Sequence, residues 1–341
     1  MATANLTRKE AQEAVNALSK FGNQTRAAEA LGLPRTTFQN RIDAARRFTL
    51  TPGLDPRIWE SPEPTPIIQQ NITKIIVRVP AGTQACEKPI RILGIGDAHD
   101  DPRLSKDRFY WMGRYAAEHR IPKIVCTGDW STFDSLNSYD GNDTWNGRLK
   151  PVFLADITSM IESKEAFKQG LSKAEGYEPE KHTCKGNHED RMHSYENRHP
   201  ENYGTFQAEY HHVMERFGWT YSPYGAFHFV GGVGFTHAPI NKMGKAYGGK
   251  NAANTIANDA LFDIVYGHDH KEQRKRVEKI GDNNYVVVAN LGSALPDGHI
   301  ENYAKHTATG WSYGVVDMTI YSGHIQGWNF VTMRELQERY A

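Results

Sequence analysis

The side chains in this chain that could do chemistry are carboxylates, imidazoles and one amide, set at the ends of apolar runs. "ILGIG" leads into Asp97-Ala98-His99 and "IVCTG" into Asp129-Trp130. "HTCKG" leads into Asn187-His188-Glu189, "GVGFT" into His237, and "DIVYG" into His268-Asp269-His270. Any one of these tips fits a solvated turn; five in one chain point to a site. A glycine before a tip lets the backbone bend sharply and approach a ligand closely. Oxygen and imidazole donors without thiolate suit a borderline divalent ion (Mn, Fe, Zn or Ni) rather than a structural cysteine-zinc site. Asp97, His99, Asp129, Asn187, His237, His268 and His270 make seven donors. That is more than one ion's usual protein shell and fits two ions sharing one carboxylate. Two ions roughly 3.5–4 Å apart can clamp the attacking and leaving oxygens of an in-line phosphoryl displacement and generate hydroxide near neutral pH.

Such tips have to be carried by strands. From residue 73 onward apolar strands alternate with amphipathic helices: "TKIIVRV", "IRILGIG", a helix around Phe109–Ala117, "KIVCTG", and a longer helix around 152–174. The last third is strand-rich, with "AFHFVGGVGF", "LFDIVYG", "YVVVANLG" and "WSYGVVDMTI". Alternation followed by strands predicts an α/β domain with sheets covered by helices. Ligands in such sheets collect beyond the carboxyl ends of the strands. His268 and His270 lie two apart and would face one side of a continuing strand. A tight loop after Gly267 is therefore expected to fan the two rings apart, with Asp269 pointing away.

The ordered set GDAH, GD, GNHE, TH and GHDH resembles the calcineurin-like metallophosphoesterase superfamily, over residues 73–330. The resemblance implies a β-sandwich of mixed sheets flanked by helices. It implies Asp97, His99 and His270 on a first metal, Asn187, His237 and His268 on a second, and Asp129 bridging both. A metal-bound hydroxide would attack phosphorus. His188, outside the ligand set, would contact the phosphate or protonate the leaving oxygen, a role suited to a side chain titrating near neutrality. One departure stands out. In "GDWSTFDS", Thr132 occupies the place of the second Asp of the family's protein phosphatases; Asp134 follows two residues later and no arginine appears. That speaks against a Ser/Thr protein phosphatase. Arg191, in "GNHEDR", is the replacement candidate for gripping phosphate through parallel hydrogen bonds; a structural pairing with Glu189 or Asp190 is the alternative. His193, His199, His211, His212 and His306 lack strand-end context and read as surface or packing residues. His228 lies inside a strand-like run and reads as structural, and Cys126 and Cys184 read as core thiols.

Charge separates the front of the chain from the rest. Residues 1–50 hold eight Lys/Arg and four acids, a net +4, against −4 for the remainder. The pattern predicts three helices. "RKEAQEAVNALSKFG" puts Ala14, Leu18 and Phe21 on one face. "NQTRAAEALG" follows an Asn23 cap with Ala27, Ala28 and Leu31 inward. "LPRTTFQNRIDAARRF" opens at Pro34, which a first turn tolerates, with Phe38, Ile42 and Ala45 at helical spacing. Residues 20–47, with a turn at Gly32-Leu33-Pro34 and a basic last helix, resemble the Fis-type helix-turn-helix. The solvent face of that helix would carry Arg35, Thr36, Gln39, Asn40 and Arg46. Arg and Asn/Gln read guanine and adenine edges, and Arg and Thr also hold phosphate. Sequence-specific reading would call for a homodimer. A helical hairpin that only oligomerises is the plainer alternative. "TPGLDPRIWESPEPTP", with five prolines between Pro52 and Pro66, predicts a stiff linker. The expected division is 1–50, 51–72 and 73–341.

The chain has 341 residues, 39% hydrophobic and 23% charged, which suits a soluble globular protein. No apolar stretch approaches the roughly 20 residues of a membrane helix, and the first residues lack a signal-peptide core. Cys86, Cys126 and Cys184 are too few and scattered for a disulfide framework, so a reducing, cytoplasmic setting is expected. The expected function is a metal-dependent hydrolase of phosphate mono- or diesters, nuclease or phosphatase, acting on or near DNA. Two alternatives remain open: a DNA-binding regulator with a scaffold phosphoesterase fold, and a protein or small-molecule phosphatase whose N-terminal helices only oligomerise.

Overall fold

The computed structural model describes residues 6–47, 52, 86–139, 145–281, 284–301, 304 and 310–341. The expected boundaries at 50 and 72, the strand "TKIIVRV", nearly all of the proline-rich stretch and His306 lie outside these residues. The chain divides into two compact units, Met1–Ile75 and Ile76–Ala341.

The first unit is three helices: α1 (Arg8–Phe21), α2 (Gln24–Ala30) and α3 (Arg35–Arg47). Their ends are written locally. Thr7 caps α1 in a capping box with Glu10, and Gly22 closes it in the left-handed region at φ 65°. Asn23 caps α2 by accepting from the Thr25 and Arg26 amides. Ala14, Ala17, Ala27, Ala28, Phe38 and Ile42 form the core, with Leu18 and Leu31 partly buried against it. Phe21 departs from expectation. It is the last residue of α1 before the Gly22 turn and stays 39% exposed, while the packed stripe is the alanines Ala11, Ala14 and Ala17.

The second unit stacks two sheets between helices. The first has the order β11-β10-β1-β2-β3-β4. Here β1 is Ile90–Ile95, β2 Lys123–Cys126, β3 Glu180–Cys184, β4 Thr220–Ser222, β10 Gly314–Tyr321 and β11 His324–Thr332. Strands β1 to β4 run parallel, and β10 and β11 are added antiparallel at one side. The second sheet has the order β5-β6-β7-β9-β8, with β5 His228–Val230, β6 Val233–Phe235, β7 Ile264–Tyr266, β8 Glu272–Glu278 and β9 Tyr285–Leu291. Its β6, β7 and β9 are parallel, with antiparallel β5 and β8 at the edges.

Period-two alternation sets the layers. In β1, Ile92 joins the core between the sheets, with Val125, Phe235, Val265 and Val316. Leu93 and Ile95 face the other way, into the core beneath the helices. Those helices are α4 (Asp107–Glu118), α6 (Phe153–Leu171), α7 (Asp190–Arg198), α8 (Thr205–Arg216) and α10 (Met333–Tyr340), with a short α5 (Trp145–Arg148) before α6. In α4, Phe109, Met112 and Ala116 recur at helical spacing and are fully buried. The outer face of the second sheet is covered by α9 (Ala252–Asp259), whose Ala253, Ile256 and Ala257 pack on Tyr266 and Val288. The chain is thus an α/β protein with an N-terminal helical unit and mixed sheets flanked by helices.

Candidate metal centre and nucleic-acid interface

All five tips sit at carboxyl ends of parallel strands, but from two sheets rather than one. Asp97, His99, Asp129 and Asn187 follow β1, β2 and β3, while His237, His268 and His270 follow β6 and β7. The stacked sheets bring these ends together. Among the described residues seven non-glycine positions have positive φ, and four of them are His99 (44°), Asp129 (49°), His268 (75°) and His270 (57°). Strained backbone gathered on one cluster is the pattern of a functional site held in place by its surroundings.

The seven side chains fall into two sets. His270 Nε2 lies 3.2 Å from His99 Nε2 and 3.1 Å from Asp97 Oδ2. His268 Nδ1 lies 3.0 Å from Asn187 Oδ1 and 3.2 Å from His237 Nε2, which is itself 2.9 Å from the same Asn187 oxygen. Asp129 stands between them, its Oδ2 3.3 Å from His237 Nε2 and 3.8 Å from His99 Nε2. The rings of His268 and His270 do fan apart, one into each set. Gly267 is not what turns the chain: the positive φ angles belong to the two histidines, and a Cβ at Gly267 would stand 2.5 Å from Asp97 Oδ1. Gly186 is likewise bare because a Cβ there would meet Asp129 Oδ1 at 2.0 Å. These glycines make room for neighbouring carboxylates. Asp269 turns away, within 3.5 Å of the Tyr266 hydroxyl.

The donor set fits divalent ions. Asp97 Oδ1 is buried without a hydrogen-bond donor, which a cation would satisfy. Pairs of ring nitrogens at 3.2 Å converge on shared space, and buried groups within 4.8 Å of one another include Asp97-His99-His270 and Asp97-Asp129-His237. Burial, then the neighbouring His188, holds His99 well below the usual imidazole range. Burial, then the field of Glu189 and Asp97, pushes the Asp129 carboxyl well up. Burial also lowers His237 and His268. Between Asp97 and His270 the balance reverses: burial disfavours both charges, but their hydrogen bond and mutual field lower Asp97 and raise His270. A cation held there would compete with a proton on His270, as metal binding generally releases protons from its ligands.

Around this cluster is a cleft of about 510 Å³ lined by His99, Asp129, Asn187, His188, Arg191, His268 and His270, with Asn137 and Tyr139 at its wall. His188 donates Nδ1–H to the Thr132 carbonyl at 2.9 Å, leaving Nε2 as the acceptor, 3.8 Å from Asp129 Oδ2. Burial and then Arg191 keep the ring neutral, well below its ordinary range. Arg191 does not pair with Glu189 or Asp190. It donates to the Thr132 carbonyl at 2.8 Å and stands 4.0 Å from Asp134, and Asp134 also meets Arg103 at 3.3 Å. The glycine-bearing stretch Met243–Asn254 does not contribute to the cleft lining among the described residues, and its end enters α9.

Glu189 is a residue whose role its motif did not disclose. Its buried carboxylate accepts from the amides of Asp129 (2.9 Å), Ser131 (3.3 Å) and Gly186 (2.8 Å). It therefore ties the tip after β2 to the tip after β3. Glu301, 3.7 Å from His99 Nδ1, belongs to no motif and carries no signal in the sequence.

In the N-terminal unit, Arg35, Thr36, Asn40 and Arg46 of α3 are exposed and Gln39 is half-buried. Phe38, Ile42 and Ala45 face inward. Gln39 Nε2 and Arg46 Nη1 both reach Asp43, at 3.0 and 3.4 Å. Arg41 turns to Glu10 at 2.8 Å. Residues 9–44 match the family described as "Bacterial regulatory protein, Fis family". The match covers the helix-turn-helix and suggests DNA binding. No curated protein matches the chain. Among the described residues no helix is long and apolar enough to cross a membrane.

Proposed function

We propose that the chain is a metal-dependent phosphoesterase brought to DNA by its Fis-type helix-turn-helix. The observation that carries this reading is the division of six donors into two sets around Asp129, with Asp97, His99, Asp129, His237 and His270 buried and Asn187 and His268 partly buried. Asp97, His99 and His270 would hold one divalent ion and Asn187, His237 and His268 the other, with Asp129 shared. When bound, such ions polarise phosphoryl oxygens and lower the pKa of water to near neutrality. The protein's own residues do the rest. His188 Nε2, fixed by the bond from Nδ1–H to Thr132, faces the cleft as a proton acceptor. The negative charge of an arriving phosphate favours the imidazolium, which can then donate to the leaving oxygen. Arg191 is held by the Thr132 carbonyl at 2.8 Å and reaches His188 Nε2 from Nη2 at 3.5 Å; the N–H groups left over could meet phosphate. Calcineurin-like architecture is supported by the motif order and by the two stacked sheets that carry it. Arg35, Thr36, Gln39, Asn40 and Arg46 would contact DNA, with a homodimer supplying two such helices.

The test is hydrolysis of bis(p-nitrophenyl) phosphate and of a panel of phosphate monoesters by Mn²⁺-loaded full-length protein. Turnover of either class supports the reading and assigns mono- or diesterase; metal-loaded protein that turns over neither removes it. The Fis-family match favours one second reading, a DNA-binding regulator with a non-catalytic metal domain. Asp129→Asn separates the two, since a regulator would keep its cellular effect when metal binding is lost.

A further inference from the structure

We infer that Glu301 is a positioning residue whose carboxylate takes the Nδ1–H of His99 and thereby fixes which nitrogen that imidazole presents to the metal centre. The role presupposes the metal centre proposed above. His99 is buried, and its Nε2 faces His270 Nε2 at 3.2 Å and Asp129 Oδ2 at 3.8 Å. Its opposite nitrogen, Nδ1, lies 3.7 Å from Glu301 Oε1. Both of these atoms are buried, and among the described residues neither has a hydrogen-bond partner elsewhere. One is a natural donor and the other a natural acceptor, and they face each other a few tenths of an ångström beyond bonding distance.

Neighbouring histidines show what such a partner does. His237 and His188 each settle Nδ1 on a backbone carbonyl, Thr127 at 3.0 Å and Thr132 at 2.9 Å. His99 has no such carbonyl among the described residues, and Glu301 stands in its place. A carboxylate on Nδ1–H excludes the tautomer that carries a proton on Nε2, which cannot ligate, and raises the basicity of the ligating nitrogen. Both partners are themselves anchored. The Glu301 carbonyl accepts from the Ala304 amide at 2.9 Å. Two residues earlier, the His299 carbonyl accepts from the Tyr313 hydroxyl at 2.8 Å. On the other side, buried Arg108 donates to the carbonyl of Ala98 at 3.0 Å, fixing the residue before His99.

The test uses full-length protein. In the metal-free protein, ¹⁵N NMR of the histidine rings should find the His99 proton on Nδ1, with Glu301→Ala shifting it toward a mixture of tautomers. Calorimetric titration with Mn²⁺ should then show Glu301→Ala weakening one of two ions by about 10–100-fold and sparing the other. Glu301→Gln, whose amide oxygen still accepts the N–H, should fall between and serves alone if the alanine variant does not fold. The inference is overturned by a wild-type His99 protonated on Nε2, by wild-type affinity for both ions in the variants, or by equal weakening of both. Wild-type protein that binds no Mn²⁺ would instead sink the metal-centre reading, and the NMR result would still decide the His99–Glu301 bond.

Discussion

His188 and Gly186 show how single residues divide the work of the cleft. His188 Nδ1–H is held by Thr132 and its Nε2 faces the cleft, outside both donor sets. Replacing it by Ala should lower kcat by about 10²–10⁴-fold, the range for a positioned proton-transfer group, while metal content, read by elemental analysis, stays at the wild-type level. Loss of metal would make His188 a ligand instead. Gly186 does the opposite kind of work. A methyl there would sit 2.0 Å from Asp129 Oδ1, so if Asp129 holds metal as proposed, Gly186→Ala should reduce metal retention by displacing that carboxylate, although no donor is removed. The clustered carboxylates, imidazoles and amide were legible in the sequence because their types and their position after apolar runs are chemical signals. Glu189 and Glu301 were not. What they do depends on which amides and which ring nitrogen the fold brings to them, across 60 residues in the bond from Asp129 N to Glu189 and with no motif at all for Glu301.

At the level of elements, α6 holds a group that works against the fold. Lys164 is 1% exposed, its Nζ lying 3.4 and 3.6 Å from the ring centroids of Trp130 and Trp219. Burial pushes its pKa down from 10.5 to about 7. Between those values the unfolded chain binds more protons than the folded one, so this group makes stability rise with pH from about 7 to about 10.5. Below pH 7 the full penalty, about 5 kcal/mol at roughly 1.4 kcal/mol per pH unit, is present. Lys164→Met should therefore raise stability by about 1–3 kcal/mol near pH 6 and flatten the rise toward pH 10, measured by urea unfolding across pH. A variant less stable than wild type at pH 6 would show that the lysine–tryptophan stack is a net gain. Elements were legible where apolar periodicity was strong, as in α4, or where the apolar run was long and unbroken, as in β9. Strand β8, "EQRKRVE", was not, because it is an edge strand whose charged, mostly exposed side chains leave no alternation to read. Helix α9 was hidden because its apolar face is largely alanine and follows a run of glycines.

For the whole molecule, a helix-turn-helix matching the Fis family precedes a domain whose two sheets converge on buried carboxylates and imidazoles. The division into two units was visible in the sequence as a charge asymmetry and a change of texture; how two sheets bring these side chains together was not, because pairing between distant strands leaves no local signal. If the head binds DNA, the affinity of the full chain for duplex DNA should fall linearly in log–log plots against salt. Arg46→Ala should make that slope shallower by about 0.9 for each phosphate the arginine neutralises. Affinity indifferent to salt would remove the DNA role. The central claim is that two ions around Asp129 make this domain a phosphoesterase. Its most direct test is phosphodiester hydrolysis by metal-free, full-length protein as Mn²⁺ is added in measured equivalents. Activity should climb until two equivalents are bound and be lost in Asp129→Asn; no hydrolysis with two ions bound, or wild-type rates in Asp129→Asn, would contradict it.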